Sequence, residues 1–507
     1  MKNILLAGLL FCSCFLAGCF EDESTLATRK IGNIEIEELK DKAVISYCGM
    51  LLEASPVVKT DYPESELSYA WYYFGGESEY TNGYREHLVA EEKNLSYEVN
   101  LPSGRYTFVF EVTAKNGYTQ TETMNVSVST DFSEGFYILK ETANGNTDAD
   151  VFTERGLSEN VLAQVAGASL EGKPTNISMT YIHPYIDEES LEIETANMVN
   201  IFTEKEYRTY RSEDLKQIFD CSNAFFGEIA EDEKLYMAAS GFFSLYMVSS
   251  KGVYSCYGGE MGMGSTGQFG FPVGTGGSKY FQALGSGMDL VFWNDVEHGL
   301  NSIDFNGAEV LALEYELKEG MKADRLKCIA SGKNYTGSEG TLWFLTEDNE
   351  TTARYLYIVD DHKAVSIQHL DVSLHIAKGK HIAGNALQAK LIYVVDANHL
   401  YVYNWETKTE QEIALPGIAT GEEVTYVSNQ FLNINSENDD FDCLVVATQQ
   451  GDKYKCYFYE DLVGGYPMSE TNQIAEGEGL VKSVRFMTSR ALGTTQFMQD
   501  YPLPYGD

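Results

Sequence analysis

A chain of 507 residues with 44% hydrophobic and 22% charged side chains is too long for one ordinary core and too apolar for a disordered polymer. Its 76 acidic residues against 36 basic ones give a net charge of −40, which excludes nucleic acid as a partner because a phosphate backbone needs clustered cations. Past the N-terminal leader, no apolar run approaches the length of a membrane-spanning helix.

The leader decides where the rest of the chain resides. Met1-Lys2-Asn3 supplies a positive start, Ile4 to Phe15 an apolar stretch of signal-peptide length, and Leu16-Ala17-Gly18-Cys19 the small residues and cysteine of a bacterial lipobox. Residues 1–18 are expected to be removed, Cys19 to carry the lipid that attaches the chain to a membrane, and residues 19–33 to act as a tether. Six cysteines lie beyond Cys19, with no CxxC pair among them. Cys443 and Cys456 are close enough to be weighed as a disulfide across one hairpin, whereas buried free thiols are expected for most of the six.

Residues 34–130 read as short alternating strands. Ser68 to Phe74 is one strand, Leu101 to Gly104 a turn, and Arg105 to Val112 a strand whose Tyr106, Phe108, Phe110 and Val112 share a face by period two. Asn116-Gly117 is a hairpin turn, and Thr123 to Val128 returns. This spacing predicts an immunoglobulin-like β-sandwich with Trp71 as a core residue between its sheets.

Residues 131–507 repeat. Strong β-runs begin at Gly135, Leu235, Met288, Thr341, Leu391 and Cys443, with Ile177 to Ile182 midway through the long first interval. Steps of about fifty residues predict a β-propeller, expected to have seven blades. Leu480 to Met487 is expected to close the ring by pairing with the first blade around Phe136, and Ser212 to Phe219 reads as one short helix with Ser212 as its N-cap. The fold class is therefore all-β, a sandwich followed by a propeller.

Several motifs tempt a chemical reading. Gly262 to Gly267 fits G-x-G-x-x-G, yet the residues after it cannot start the helix that a dinucleotide site requires, so a glycine-rich loop is the better account. His362, His369, His375 and His381 recur too widely for a zinc set, and Asn435 to Asp442 lacks the glycine and terminal glutamate of an EF-hand loop. Asn144 to Asp150 reads as a hairpin turn. No nucleophile elbow stands in a convincing context, so no catalytic residue, metal ligand or cofactor is assigned. Tyr401, Tyr403 and Trp405 lie on one strand face and are the candidate ligand-binding residues, weighed against packing between blades.

With Cys19, the segment ending near Thr130, the restart Gly135-Phe136-Tyr137-Ile138-Leu139, and the runs from Leu391, Gly421 to Tyr426 and Leu444 to Thr448, the chain resembles the PKD-like family of Bacteroidetes surface lipoproteins. Glu21-Asp22-Glu23 resembles the signal that carries such lipoproteins to the outer face of the outer membrane. The resemblance implies a protein encoded beside outer-membrane glycan importers in polysaccharide-utilisation loci. The expected function is capture of an extracellular polysaccharide or glycoprotein glycan, without catalysis. The alternatives are a propeller glycoside hydrolase or lyase with convergent channel carboxylates, and a protein-binding adaptor or adhesin presenting a broad apolar patch.

Overall fold

The computed structural model describes residues 32–37, 39, 43–75, 87–102, 104–188, 190–241, 244–258, 264–284, 289–304, 307–334, 340–360, 362–386, 388–432 and 441–488. Cys19, the leader, most of the tether and most of the acidic 435–442 stretch lie outside them. Two compact units emerge, one drawn from residues up to 126, the other running from 127 with the short segments 45–50 and 99–105.

In the first unit a five-stranded sheet runs in the order Ala43–Tyr47, Thr119–Ser129, Gly104–Ala114, Leu67–Gly75 and His87–Ala90. Leu51–Ala54 pairs with Leu95–Glu98, and Ile34–Glu37 with Val57–Thr60. Tyr106, Phe108, Phe110 and Val112 are all buried, as their alternation requires. Trp71 stands opposite Phe110 in the register, with ring centroids 4.8 Å apart, and its indole N–H donates to the Lys93 carbonyl at 3.2 Å. A fully buried indole with its one donor satisfied is a core residue, not a ligand platform.

The second unit carries seven consecutive antiparallel sheets of three or four strands among the described residues. Their inner strands are Leu480–Met487 for sheet one, then Pro174–Ile186, Leu235–Ser240, Phe281–Leu284, Leu326–Asn334, His381–Gly384 and Glu423–Leu432. Sheet one is completed by Gly135–Glu141, Thr147–Thr153 and Gly156–Ser158, so the C-terminal strand supplies its inner edge. Phe136 faces Phe486 in that pairing, and Leu480–Met487 also lies beside the inner strands of sheets two and seven. The ring closes on itself and leaves neither inner edge open. This is a propeller.

The second strands begin at Gly135, Ile193, Ser244, Asp289, Thr341, Leu391 and Phe441. Leu235, by contrast, opens the inner strand of sheet three, so the run that seemed to start the regular repeat is out of phase with the others.

Two expectations are corrected. Ser212 to Phe219 is not a helix: Leu215 adopts a φ of 56° and Gln217–Asp220 pairs with Tyr207–Arg211 as the outer strand of sheet two. A left-handed residue in mid-segment breaks helical propagation, and the open sheet edge takes the chain instead. The α-helix among the described residues is Val161–Ala166, where the Asp148 carboxylate accepts from the Leu162 N–H at 3.1 Å. Nor do Cys443 and Cys456 bond to each other. The register sets Cys456 opposite Ala447, four residues along from Cys443, and both thiols are buried and free. At about 3.4 Å per residue that offset far exceeds the reach of a disulfide.

Candidate functional site

Inner strands of a propeller run side by side, so their starts converge at one end of the ring. Here that convergence encloses a cavity of about 1260 Å³ within the second unit. Each strand brings the residue just before or just inside its start to the rim, and those residues repeat: Lys173, Lys234, Lys279, Lys327, Lys380 and Lys482. Six of the seven inner strands carry such a lysine. The seventh begins at Glu423 and is preceded by Glu422, which instead accepts from Lys455 at 3.2 Å and from Tyr457 and Thr448 at 2.8 Å each. The signal is present in the sequence as a lysine at the head of six of the seven inner-strand runs, but the runs must first be phased on the inner strands for it to stand out.

The cavity is lined by Tyr236, half-buried, by the edge of the largely buried Tyr280, and by Asp295, His298 and His381. His298 is fixed in a left-handed backbone with φ of 53°, and its Nδ1 lies 3.1 Å from the Leu326 carbonyl. The Asp295 carboxyl is pushed up to about 6 because the cavity walls displace water around it, against the opposing pull of His298 and Lys279. Its surface remains open to solvent, so this is a group poised in a wet cleft and not one sealed in a core. His381 is shifted down, by burial first and then by Lys380. Aromatic faces, a carboxyl near neutrality and imidazoles around an open cavity are the composition of a small-molecule or saccharide site.

The strand-face candidates do not contribute to it. Tyr403 and Trp405 are buried in the core between sheets, and the Gln368 side chain accepts from the Tyr403 hydroxyl at 3.3 Å while donating to the Trp405 carbonyl at 3.1 Å. Tyr401 is half-exposed but stacked flat on His375, with centroids 3.5 Å apart and an interplanar angle of 6°. That row is packing. His375 also bonds Asp396 at 2.6 Å and His369 stacks on Tyr355, so the spaced histidines go separate ways. Among the described residues no three His, Cys, Asp or Glu side chains gather as a metal set.

The glycine-rich motif straddles the edge of the described residues, and from Gly264 onward no helix follows it. Its last glycine is a structural clasp. Gly267 has φ of 77°, a Cβ there would lie 1.7 Å from the Pro184 carbonyl oxygen, and its own carbonyl oxygen lies 2.9 Å from His183 Nε2. Burial holds the fully enclosed His183 ring at about 4 against an ordinary 6.5, although the Gly267 bond works the other way. Between those values the unfolded chain takes up a proton that the native ring refuses. Stability is therefore expected to fall as pH drops from 6.5 towards 4, by about 3 kcal/mol for this group at ~1.4 kcal/mol per unit. Urea midpoints at pH 7 and pH 4.5 should differ less in His183→Gln than in the parent. Equal pH dependence in both would refute the assignment.

Among solved structures, the chain is similar to a quinonprotein alcohol dehydrogenase-like protein from Bacteroides thetaiotaomicron. The two are 12% identical over 89% of this chain and 97% of the other, with a TM-score of 0.42. A DUF4784 family protein from Bacteroides caccae is 9% identical over 75% of this chain and 95% of its own, with a TM-score of 0.31. PorZ, a surface component of the type-IX secretion system of Porphyromonas gingivalis, is 10% identical over 67% and 38%, with a TM-score of 0.35. Likeness at that level assigns no function. Among curated proteins, none matches the chain. The PKD-like family model matches residues 19–174, a stretch that starts at Cys19 and ends at the first residue of the inner strand of sheet two.

Proposed function

We propose that this is a lipoprotein anchored through Cys19 in the outer membrane, facing outwards, that captures an extracellular glycan beside a glycan importer without cleaving it. The carrying observation is the channel mouth, where Tyr236 and Tyr280 stand beside carboxyl and imidazole groups in a cavity roomy enough for several sugar rings. Sugars offer C–H faces to aromatic rings and hydroxyls to polar groups, and both partners are supplied here. The lipobox and the match to the PKD-like family model support the anchoring and the family context. No helix among the described residues is long and apolar enough to cross a membrane, which is consistent with attachment by lipid.

The test is affinity electrophoresis of the whole chain beyond Cys19 through gels containing individual polysaccharides, with product analysis of the same mixtures. Retardation by a polysaccharide, weakened about tenfold or more by Tyr236→Ala and without new chain ends, is the expected result. A cleaving enzyme is the second reading, and Asp295 is the observation that favours it, since a carboxyl titrating near 6 is suited to general acid–base work. New chain ends that vanish in Asp295→Asn would replace capture with cleavage.

A further inference from the structure

Building on the glycan-capture reading, we infer that the glycan taken by the channel mouth is anionic, a carboxylated or sulfated segment held by the lysine ring. The argument is one of local charge against global charge. The chain as a whole has about half as many basic as acidic residues, yet the cavity is lined by eight lysine and arginine side chains against five carboxylates. Three of those carboxylates are already engaged: Glu347 with Arg354 at 2.9 Å, Glu206 with Arg208 at 2.8 Å, and Glu233 accepting from Ser249 and Tyr254.

The cations divide differently. Lys173 is bound to Glu141 at 3.0 Å and Lys482 approaches the same carboxylate at 3.9 Å, so two members of the ring are partly neutralised. Lys279 lies over the Tyr280 ring at 5.5 Å. Lys234, Lys327 and Lys380 are exposed and make no ion pair among the described residues, although acidic side chains dominate the chain. Three unneutralised ammonium groups, at the inner strands of sheets three, five and six, face one cavity. Rings of like charge at a channel mouth select ions of the opposite sign.

The acidic exterior sharpens this selection. Charges are screened over roughly 8–10 Å at physiological salt, so a ligand inside the mouth responds to the lysines and not to the net −40. A long polyanion lying across the outer surface is repelled, whereas a chain end or short segment entering the mouth is attracted. The ring therefore both admits an anionic glycan and confines it to the channel.

The experiment uses the whole chain beyond Cys19 and two matched pairs of probes: polygalacturonate against its methyl ester, and dextran sulfate against dextran. Binding to polygalacturonate or to dextran sulfate is expected, with the responding pair identifying carboxylate or sulfate as the recognised group. Affinity should fall on the order of tenfold to a hundredfold in the combined variant Lys234→Gln, Lys327→Gln, Lys380→Gln. The same charge removed elsewhere, by Lys115→Gln, Lys251→Gln, Lys453→Gln, should leave it within about twofold. Circular dichroism of both variants confirms that they are folded. Neutral members binding as tightly as charged ones, or equal loss in both triple variants, would overturn the anionic assignment while leaving glycan capture standing. No binding to any of the four would overturn both.

Discussion

Replacing Val484 by Asp is expected to unfold the entire second unit. Val484 is fully buried on the C-terminal strand, opposite Ile138, and its N–H donates to the Tyr426 hydroxyl of sheet seven at 3.1 Å. A carboxylate there loses about 2 kcal/mol of apolar burial and leaves an unpaired charge that costs several kcal/mol more. Together these approach the ~5–15 kcal/mol that holds a typical domain folded. The effect should not stay local, because this strand closes the ring: without it, the inner edges of sheets one and seven are left bare. Three of the four tryptophans, Trp293, Trp343 and Trp405, lie in sheets four to six and report from the other blades. Their fluorescence should show an unfolded chain at low urea for Val484→Asp, and only a shifted midpoint, by about 2 kcal/mol, for Val484→Ala. Matching transitions in the two variants would mean that closure is not what holds the ring.

Much of this architecture was legible in the sequence because strand burial has a two-residue period that the side chains record directly. The face made by Tyr106, Phe108, Phe110 and Val112 shows it, whereas Leu391 to Val395, buried on both faces, was legible as a short continuous apolar run. The closing strand was readable for the same reason. What the period does not record is register, and the errors follow from that. Cys443 and Cys456 are thirteen positions apart on one hairpin, but the strand pairing, set by the turn beyond Gln450, offsets them. Ser212 to Phe219 has helix-compatible residues, and only the open edge of sheet two makes its end a strand. The aromatic row at Tyr401 looked like a binding face because sequence gives the alternation of a strand, not which side of it meets the next blade. The channel mouth was illegible on similar grounds. Its lysines come from six strands scattered between residues 173 and 482, and become one feature only when the ring brings those strand starts together.

Lys140→Met is expected to cost about 3–5 kcal/mol, although it exchanges one unbranched side chain for another of similar length. Lys140 donates to the Asp150 carboxylate at 2.7 Å, and both side chains are essentially inaccessible to water. Asp150 also accepts from the Tyr454 hydroxyl and from the Asn160 N–H at 2.7 Å. Lys140 and Asp150 both belong to sheet one, whereas Tyr454 belongs to Lys453–Tyr459 of sheet seven, so it is the Tyr454 hydroxyl's bond to Asp150 that ties the charge pair to the seam where the last sheet meets the first. Burial first, and the neighbouring Asp150 carboxylate second, raise the Tyr454 hydroxyl far above its ordinary range, keeping it a donor at any working pH. Removing the ammonium leaves a buried carboxylate with two neutral donors and no counter-charge. The control is Lys140→Met combined with Asp150→Leu, which removes both charges. Because a buried pair gains little net stability over apolar replacements, the double variant should be no less stable than Lys140→Met alone, a positive coupling readable from urea midpoints. The same seam holds Phe136 against Phe458 at 4.3 Å, a contact that any apolar pair of suitable size could make. The Tyr454 hydroxyl's bond to Asp150 is more demanding: it forms only when sheet one meets sheet seven in one register. A double variant less stable than Lys140→Met alone would mean that the uncompensated Asp150 charge is not what the single substitution costs.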